Sequence, residues 1–142
     1  MATILVADDH EDAREMFGAI LRRAGHTPLL VADGTQALAA YRRHRPDLVI
    51  LDIFMPGKDG IDTLLELRQD FPEAKVIAIS AGWHVPNLEV SGHVTEMDIL
   101  DHARSVGANR AFEKPVDAAT LLGAIDEMLR TPGTCRPTGL TG

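Results

Sequence analysis

Four short, uninterrupted apolar runs constrain this chain more than any other feature: Ile4-Leu5-Val6-Ala7, Leu29-Leu30-Val31-Ala32, Leu48-Val49-Ile50-Leu51 and Val76-Ile77-Ala78-Ile79. Each is rich in branched aliphatic residues and lacks the polar alternation of a half-exposed strand. Runs of this kind are strands covered on both faces, as in a parallel sheet. A weaker fifth run is Arg110-Ala111-Phe112.

Helical spacing fills the gaps between the runs. Ala13, Met16, Phe17, Ile20, Leu21 and Ala24 make one apolar stripe, and Gly25 ends that helix. Residues 35–44 carry Ala37, Leu38, Ala40 and Tyr41, with Pro46 just beyond. Residues 61–69 carry Ile61, Leu64, Leu65 and Leu67. Residues 117–130 carry Leu121, Leu122, Ile125, Met128 and Leu129, with Asp117 placed as the N-cap. Residues 97–106, closed by Gly107, form a weaker candidate. The order is strand then helix, five times. That predicts an α/β fold, a doubly wound five-stranded parallel sheet with right-handed crossovers and helices on both faces.

The expected domain spans residues 1–130. Residues 131–142, rich in Pro, Gly and Thr, read as a disordered tail or a truncated linker. No apolar stretch approaches the ~20 residues of a membrane span, and the N-terminus carries no secretory signal pattern. The formal net charge of −7 argues against nucleic-acid binding through this domain, which needs clustered Lys and Arg. Arg42, Arg43 and Arg45 cluster only where they would complement a helix C-terminus. Cys135 is the one cysteine, which fits a reducing, cytoplasmic setting.

In such sheets ligands bind beyond the carboxyl ends of the strands. There the sequence places Asp8 and Asp9, Asp52, Ser80, and Lys114-Pro115. Carboxylates brought that close repel one another, so a proton or a cation must join them. An all-oxygen site suits Mg²⁺, which takes one or two carboxylates plus phosphate oxygens. A carboxylate there can act as a nucleophile toward phosphorus, with a lysine and the metal neutralising the transferring group. Each residue alone has a plainer reading: Asp8-Asp9 as helix caps, Asp52 as a turn residue, Ser80 as a cap, Lys114 as a solvated surface lysine. The six histidines (His10, His26, His44, His84, His93 and His102) show no helical pair of zinc-binding spacing and read as surface residues.

Taken in order, these signatures resemble a response-regulator receiver domain from about residue 3 to residue 130: Asp8-Asp9, then Asp52-Ile53-Phe54-Met55-Pro56 with Gly60, then Ser80-Ala81, then Lys114-Pro115. The resemblance implies a flavodoxin-like (βα)5 fold and a phosphorylation switch in two-component signalling. It implies that Asp52 is the phosphoacceptor and that Asp9, Asp8, Asp52 and the Phe54 carbonyl hold Mg²⁺. Ser80 and Lys114 would contact the phosphoryl group. Met55, Pro56, Gly60 and Pro115 would shape the adjoining loops, the Lys114-Pro115 bond being cis. The donor would be a sensor histidine kinase or a phosphotransfer protein, the output a downstream protein partner, and catalysis limited to the chain's own phosphorylation and dephosphorylation. Homodimers in the family often use the face of the fourth and fifth helices.

Two features depart from the family pattern. The connection after Ser80 runs over residues 81–95, against roughly 2–6 residues for an ordinary strand-to-helix loop. And Ala111 stands where many members carry an aromatic switch residue, with Phe112 expected to face the core on the other side of the strand. Phe54, two residues after Asp52, is a bulky group that would hinder hydrolytic water. Two other functions compete: a non-phosphorylated interaction module of the same fold, and a metal-dependent phosphohydrolase. The latter normally carries an acidic residue where this chain has Phe54.

Overall fold

The computed structural model describes residues 2–53, 60–80, 104, 107–113 and 116–130. Within them the chain runs β1 (Thr3–Ala7), α1 (Glu11–Arg23), β2 (Thr27–Val31), α2 (Gly34–His44), β3 (Leu48–Asp52), α3 (Gly60–Asp70), β4 (Val76–Ser80), β5 (Arg110–Glu113) and α4 (Ala118–Arg130). The expected helix at residues 97–106, Arg104 apart, and the long connection at 81–95 lie outside the described residues.

All five strands pair in parallel in the order β2-β1-β3-β4-β5. Alternation along each strand divides the core in two. On one face Leu5, Ala7, Val49, Leu51, Val76 and Ala78 pack under α2 and α3, through Leu38, Tyr41, Leu64 and Leu67. On the other, Ile4, Val6, Leu48, Ile50, Ile77 and Ile79 pack under α1 and α4, through Phe17, Leu21, Leu121, Ile125 and Met128. Full burial of each such side chain contributes about 1.5–3 kcal/mol, which makes these two layers the main source of stability.

β1, β3 and β4 are covered on both faces as their unbroken apolar runs predict. β2 is not: it is an edge strand, and all its residues are exposed or half-buried. The edge position also explains how Pro28 can sit in a strand, because a residue without an N–H fits only where the ladder is incomplete. Two residues of the expected helical stripes face water instead: Met16 on α1 is 46% exposed and Leu65 on α3 is 44% exposed. Ala111 and Phe112 fall on opposite faces of β5, against the first and second core respectively, as the strand alternation requires.

The helix ends follow local chemistry. Gly25 adopts φ 90°, which lets His26 N–H reach back to the Leu21 carbonyl at 2.9 Å and closes α1. Asp33 caps α2, accepting from Gln36 N–H at 2.8 Å. Asp117 caps α4, accepting from the Thr120 hydroxyl at 2.6 Å and its N–H at 3.3 Å; those bonds hold the carboxyl below its ordinary pKa. Arg42, Arg43 and His44 stand in the last turn of α2, where they complement the helix dipole. Arg45, at φ 47°, sets its guanidinium 4.5 Å over the Phe71 ring.

Candidate functional site

The strand order reverses direction between β1 and β3, and the crevice outside their carboxyl ends is where such sheets bind ligands. β1 delivers Asp8 there and β3 delivers Asp52. Asp8 is 1% exposed and Asp52 3%, an unusual degree of burial for carboxylates. Asp9 is partly exposed at the rim.

One ligand atom each from Asp8, Asp9, His10 and Asp52 lies within 4.8 Å of the others. The strand-end acids predicted from the sequence are therefore neighbours in space. His10 joins them, although its spacing relative to the other histidines carried no such signal. His10 is the N-cap of α1, yet its side chain caps nothing. Its backbone N–H donates to Asp8 Oδ1 at 2.9 Å, and its ring Nδ1 stands 3.4 Å from Asp8 Oδ1 and 3.3 Å from Asp9 Oδ1. Of the two acids read as caps, then, Asp8 does steady the entry to α1, but from three residues before its first residue, through the His10 N–H, and Asp9 does not. Arg14 Nη1 reaches back to the Asp8 carbonyl at 2.8 Å and holds the turn from the other side.

The β3 end is fixed by backbone. Ile53 N–H donates to the Ile79 carbonyl at 2.9 Å, and Gly60 N–H donates to the Ile53 carbonyl at 2.9 Å. This brings the first residue of α3 against the residues around the acid. A Cβ at Gly60 would stand 2.3 Å from the Asp52 carbonyl oxygen and 2.4 Å from Ile53 Cα, so only glycine fits. The expected loop-shaping role of Gly60 has this physical content. Met55 and Pro56, with the Phe54 carbonyl, lie outside the described residues, as do Lys114 and Pro115.

Ser80 ends β4 at the same sheet edge, one residue past the partner of Asp52 in the register. It is fully buried, and among the described residues its hydroxyl has no hydrogen-bond partner. Asp9 Oδ1 is likewise buried without one, the nearby His10 ring being outside hydrogen-bond geometry. An orphaned buried hydroxyl or carboxylate oxygen costs about 1–3 kcal/mol, so such atoms persist where something else satisfies them. The donor set fits a hard divalent cation: two buried carboxylates, a third at the rim and an unused buried oxygen.

Comparison with known proteins agrees. The family model described as the response regulator receiver domain matches residues 4–126. The DNA-binding response regulator MtrA of Mycobacterium tuberculosis is 49% identical over 127 residues, covering 89% of this chain and 50% of that protein. The sensory/regulatory protein RpfC of Xanthomonas campestris is 35% identical over 137 residues, 92% of this chain and 18% of its own length. The chain thus spans about half the length of one of these relatives and under a fifth of the other. The crystal structure of the receiver domain of NtrX from Brucella abortus superimposes with a TM-score of 0.76 at 32% identity, covering 91% of this chain and 99% of that one. Among the described residues no helix is long and apolar enough to cross a membrane. The chain belongs to the response regulator receiver domain family.

Proposed function

We propose that this chain is a phosphorylation switch whose phosphoacceptor is Asp52. The observation that carries the proposal is the buried carboxylate of Asp52 at the sheet's switch point, within 4.8 Å of Asp8 and Asp9 donor atoms. In the reaction, an Asp52 carboxylate oxygen attacks the phosphorus of a phosphohistidine on a sensor kinase or phosphotransfer protein. A P–O bond forms, the P–N bond breaks, and the imidazole leaves with the electron pair. Mg²⁺ held by Asp8, Asp9 and Asp52 would offset the charge on the transferring oxygens. The Phe54 carbonyl completes that ligand set in the family pattern.

Asp8 is anchored by the His10 N–H and so presents its carboxylate in one orientation. Gly60 lets α3 close against Asp52. The Ser80 hydroxyl is poised to donate to a phosphoryl oxygen, which would supply the partner it lacks among the described residues. Lys114 supplies the remaining positive charge, with Pro115 shaping its loop. Output is a change of surface read by a downstream protein in the cytoplasm. The only chemistry is the chain's own phosphorylation and dephosphorylation, and a non-phosphorylated interaction module of the same fold is the competing reading.

Intact mass after incubation with Mg²⁺ and a small acyl phosphate decides between them. The expected result is one phosphoryl adduct that disappears in Asp52→Asn. A folded, Mg²⁺-binding protein with no adduct favours the interaction module. Sustained turnover of an external phosphate ester favours a hydrolase.

A further inference from the structure

We infer that Arg14 is a positioning residue for the Mg²⁺ centre: it holds the peptide that joins Asp8 to Asp9, and so sets the affinity with which the two acids take the ion. The inference rests on the Mg²⁺ reading above and adds a residue to which that reading gives no role. Asp8 is still tied to the sheet, its N–H donating to the Val31 carbonyl at 3.1 Å. Helical bonding begins at the His10 carbonyl, which accepts from Arg14 N–H at 3.0 Å. Between those two bonds the chain turns from strand to helix, and the turn carries the carboxylates of Asp8 and Asp9. The Arg14 guanidinium crosses back over it, Nη1 donating to the Asp8 carbonyl at 2.8 Å in a partly buried bond.

The Asp8 carbonyl lies in the same rigid plane as the Asp9 N–H, so a donor on that oxygen fixes the rotation of the whole peptide and the direction in which Asp9 leaves it. Asp9 needs that control. It stands at the rim, yet its Oδ1 is buried and among the described residues has no hydrogen-bond partner. Asp8 Oδ1, by contrast, accepts from the His10 N–H at 2.9 Å. Helix electrostatics do not explain a cation here. Arg14 stands in the first turns of α1, near the positive end of the helix dipole, whereas Arg22 and Arg23 occupy the last turn, where cations are favoured. Charge and geometry also act on the centre in opposite senses. A guanidinium beside the acids opposes the arrival of a second cation. A fixed ligand orientation favours it.

The test uses the full chain, Mg²⁺ alone and no phosphoryl donor. Calorimetric titrations compare the wild type with Arg14→Met, which keeps the apolar stem and loses the donor, and with Arg14→Lys, which keeps a donor and the charge. Since loss of a group that orients metal ligands costs ~10–100-fold in affinity, Arg14→Met should weaken Mg²⁺ binding by about 10-fold or more. Arg14→Lys should recover most of it, because an ammonium can replace a single bond to a carbonyl. Arg23→Met removes the same charge about 13 Å further along α1, beyond the screening length at physiological salt, and should leave the affinity within about twofold. In chelator, with no ion present, the Asp9 amide resonance should already move in Arg14→Met. An Arg14→Met protein that is less stable in urea yet binds Mg²⁺ as the wild type does would overturn the inference and leave Arg14 a structural staple. So would tighter binding by Arg14→Met, which is the result that charge alone predicts. A wild type that binds no Mg²⁺ would overturn the metal reading and this inference together. Phosphoryl adduct formation in the wild type is read separately, so failure of the phosphoacceptor reading and failure of this one give different results.

Discussion

The two ends of the sheet are built on opposite rules. At the amino end of the strands side chains and backbone groups of the described residues bond one another. Thr3 N–H donates to Asp47 Oδ2 at 2.8 Å, and Asp47 N–H donates back to the Thr3 carbonyl at 2.8 Å. Asn109 exchanges two bonds with the Val76 backbone, both 2.8 Å. Arg68 donates to the carbonyls of Pro72, Ala74 and Gly107 and to Asn109 Oδ1, which ties α3 to the turns preceding β4 and β5. At the carboxyl end, buried carboxylates crowd together and a fully buried serine hydroxyl lacks a partner among the described residues. One end is tied together and holds the fold. The other gathers acids that a cation would suit and, among the described residues, leaves Asp9 Oδ1 and the Ser80 hydroxyl without a hydrogen-bond partner, which is how a marginally stable domain can be made responsive.

The largest effect should come from Gly60, where the two concerns meet. Gly60→Ala forces a Cβ into the Asp52 and Ile53 backbone, and should destabilise by about 3 kcal/mol or more in urea unfolding. A loss under ~1 kcal/mol would mean that α3 can draw back from the acid at little cost. Next is Arg68→Ala, which strands half-buried carbonyls at the amino end and should cost about 2–3 kcal/mol. Phosphoryl adduct formation in the surviving folded protein should persist. Arg68→Lys should recover little, since an ammonium cannot reproduce the guanidinium's divergent donors. An Arg68→Ala protein of full stability would erase the contrast between the ends.

Asp52→Asn should move stability the other way. Removing one of the clustered carboxylates should raise stability in chelator by about 1 kcal/mol. Saturating Mg²⁺ should stabilise the wild type more than the variant, because a bound ion stabilises only in proportion to its affinity for the folded state. A variant destabilised in chelator would show that the carboxylate's other partners outweigh the repulsion. The smallest effect belongs to Ser80→Ala. A buried hydroxyl with a partner costs about 1 kcal/mol to delete, but this one should change stability by less than ~0.5 kcal/mol while altering phosphoryl lifetime.

Much of this contrast was legible in the chain, and unevenly so. β1, β3 and β4 announce themselves because strands covered on both faces leave unbroken apolar runs. The acids could be assigned to one edge because parallel strands all end on the same side. The amino end was not legible. Arg68 reads as a solvated helix residue, and its bonds reach residues 39 and 41 positions away, which no local pattern encodes. Met16 and Leu65 fit the apolar stripes by spacing, yet sit at the margins where the helix turns toward water. β2 reads as a strand covered on both faces because an apolar run does not report how near the strand lies to the sheet's edge. His10 carries no local signal, because the carboxylates beside it come from the end of one strand and from another strand.

The most direct test is an amide chemical-shift map of the protein in Mg²⁺ before and after phosphorylation of Asp52. The contrast between the ends predicts large shifts at Asp8 to His10, Ile53, Gly60 and Ser80, with Thr3, Asp47, Val76 and Asn109 nearly still. Shifts spread evenly over both ends, or concentrated at the Arg68 end while the acidic edge stays silent, would contradict it.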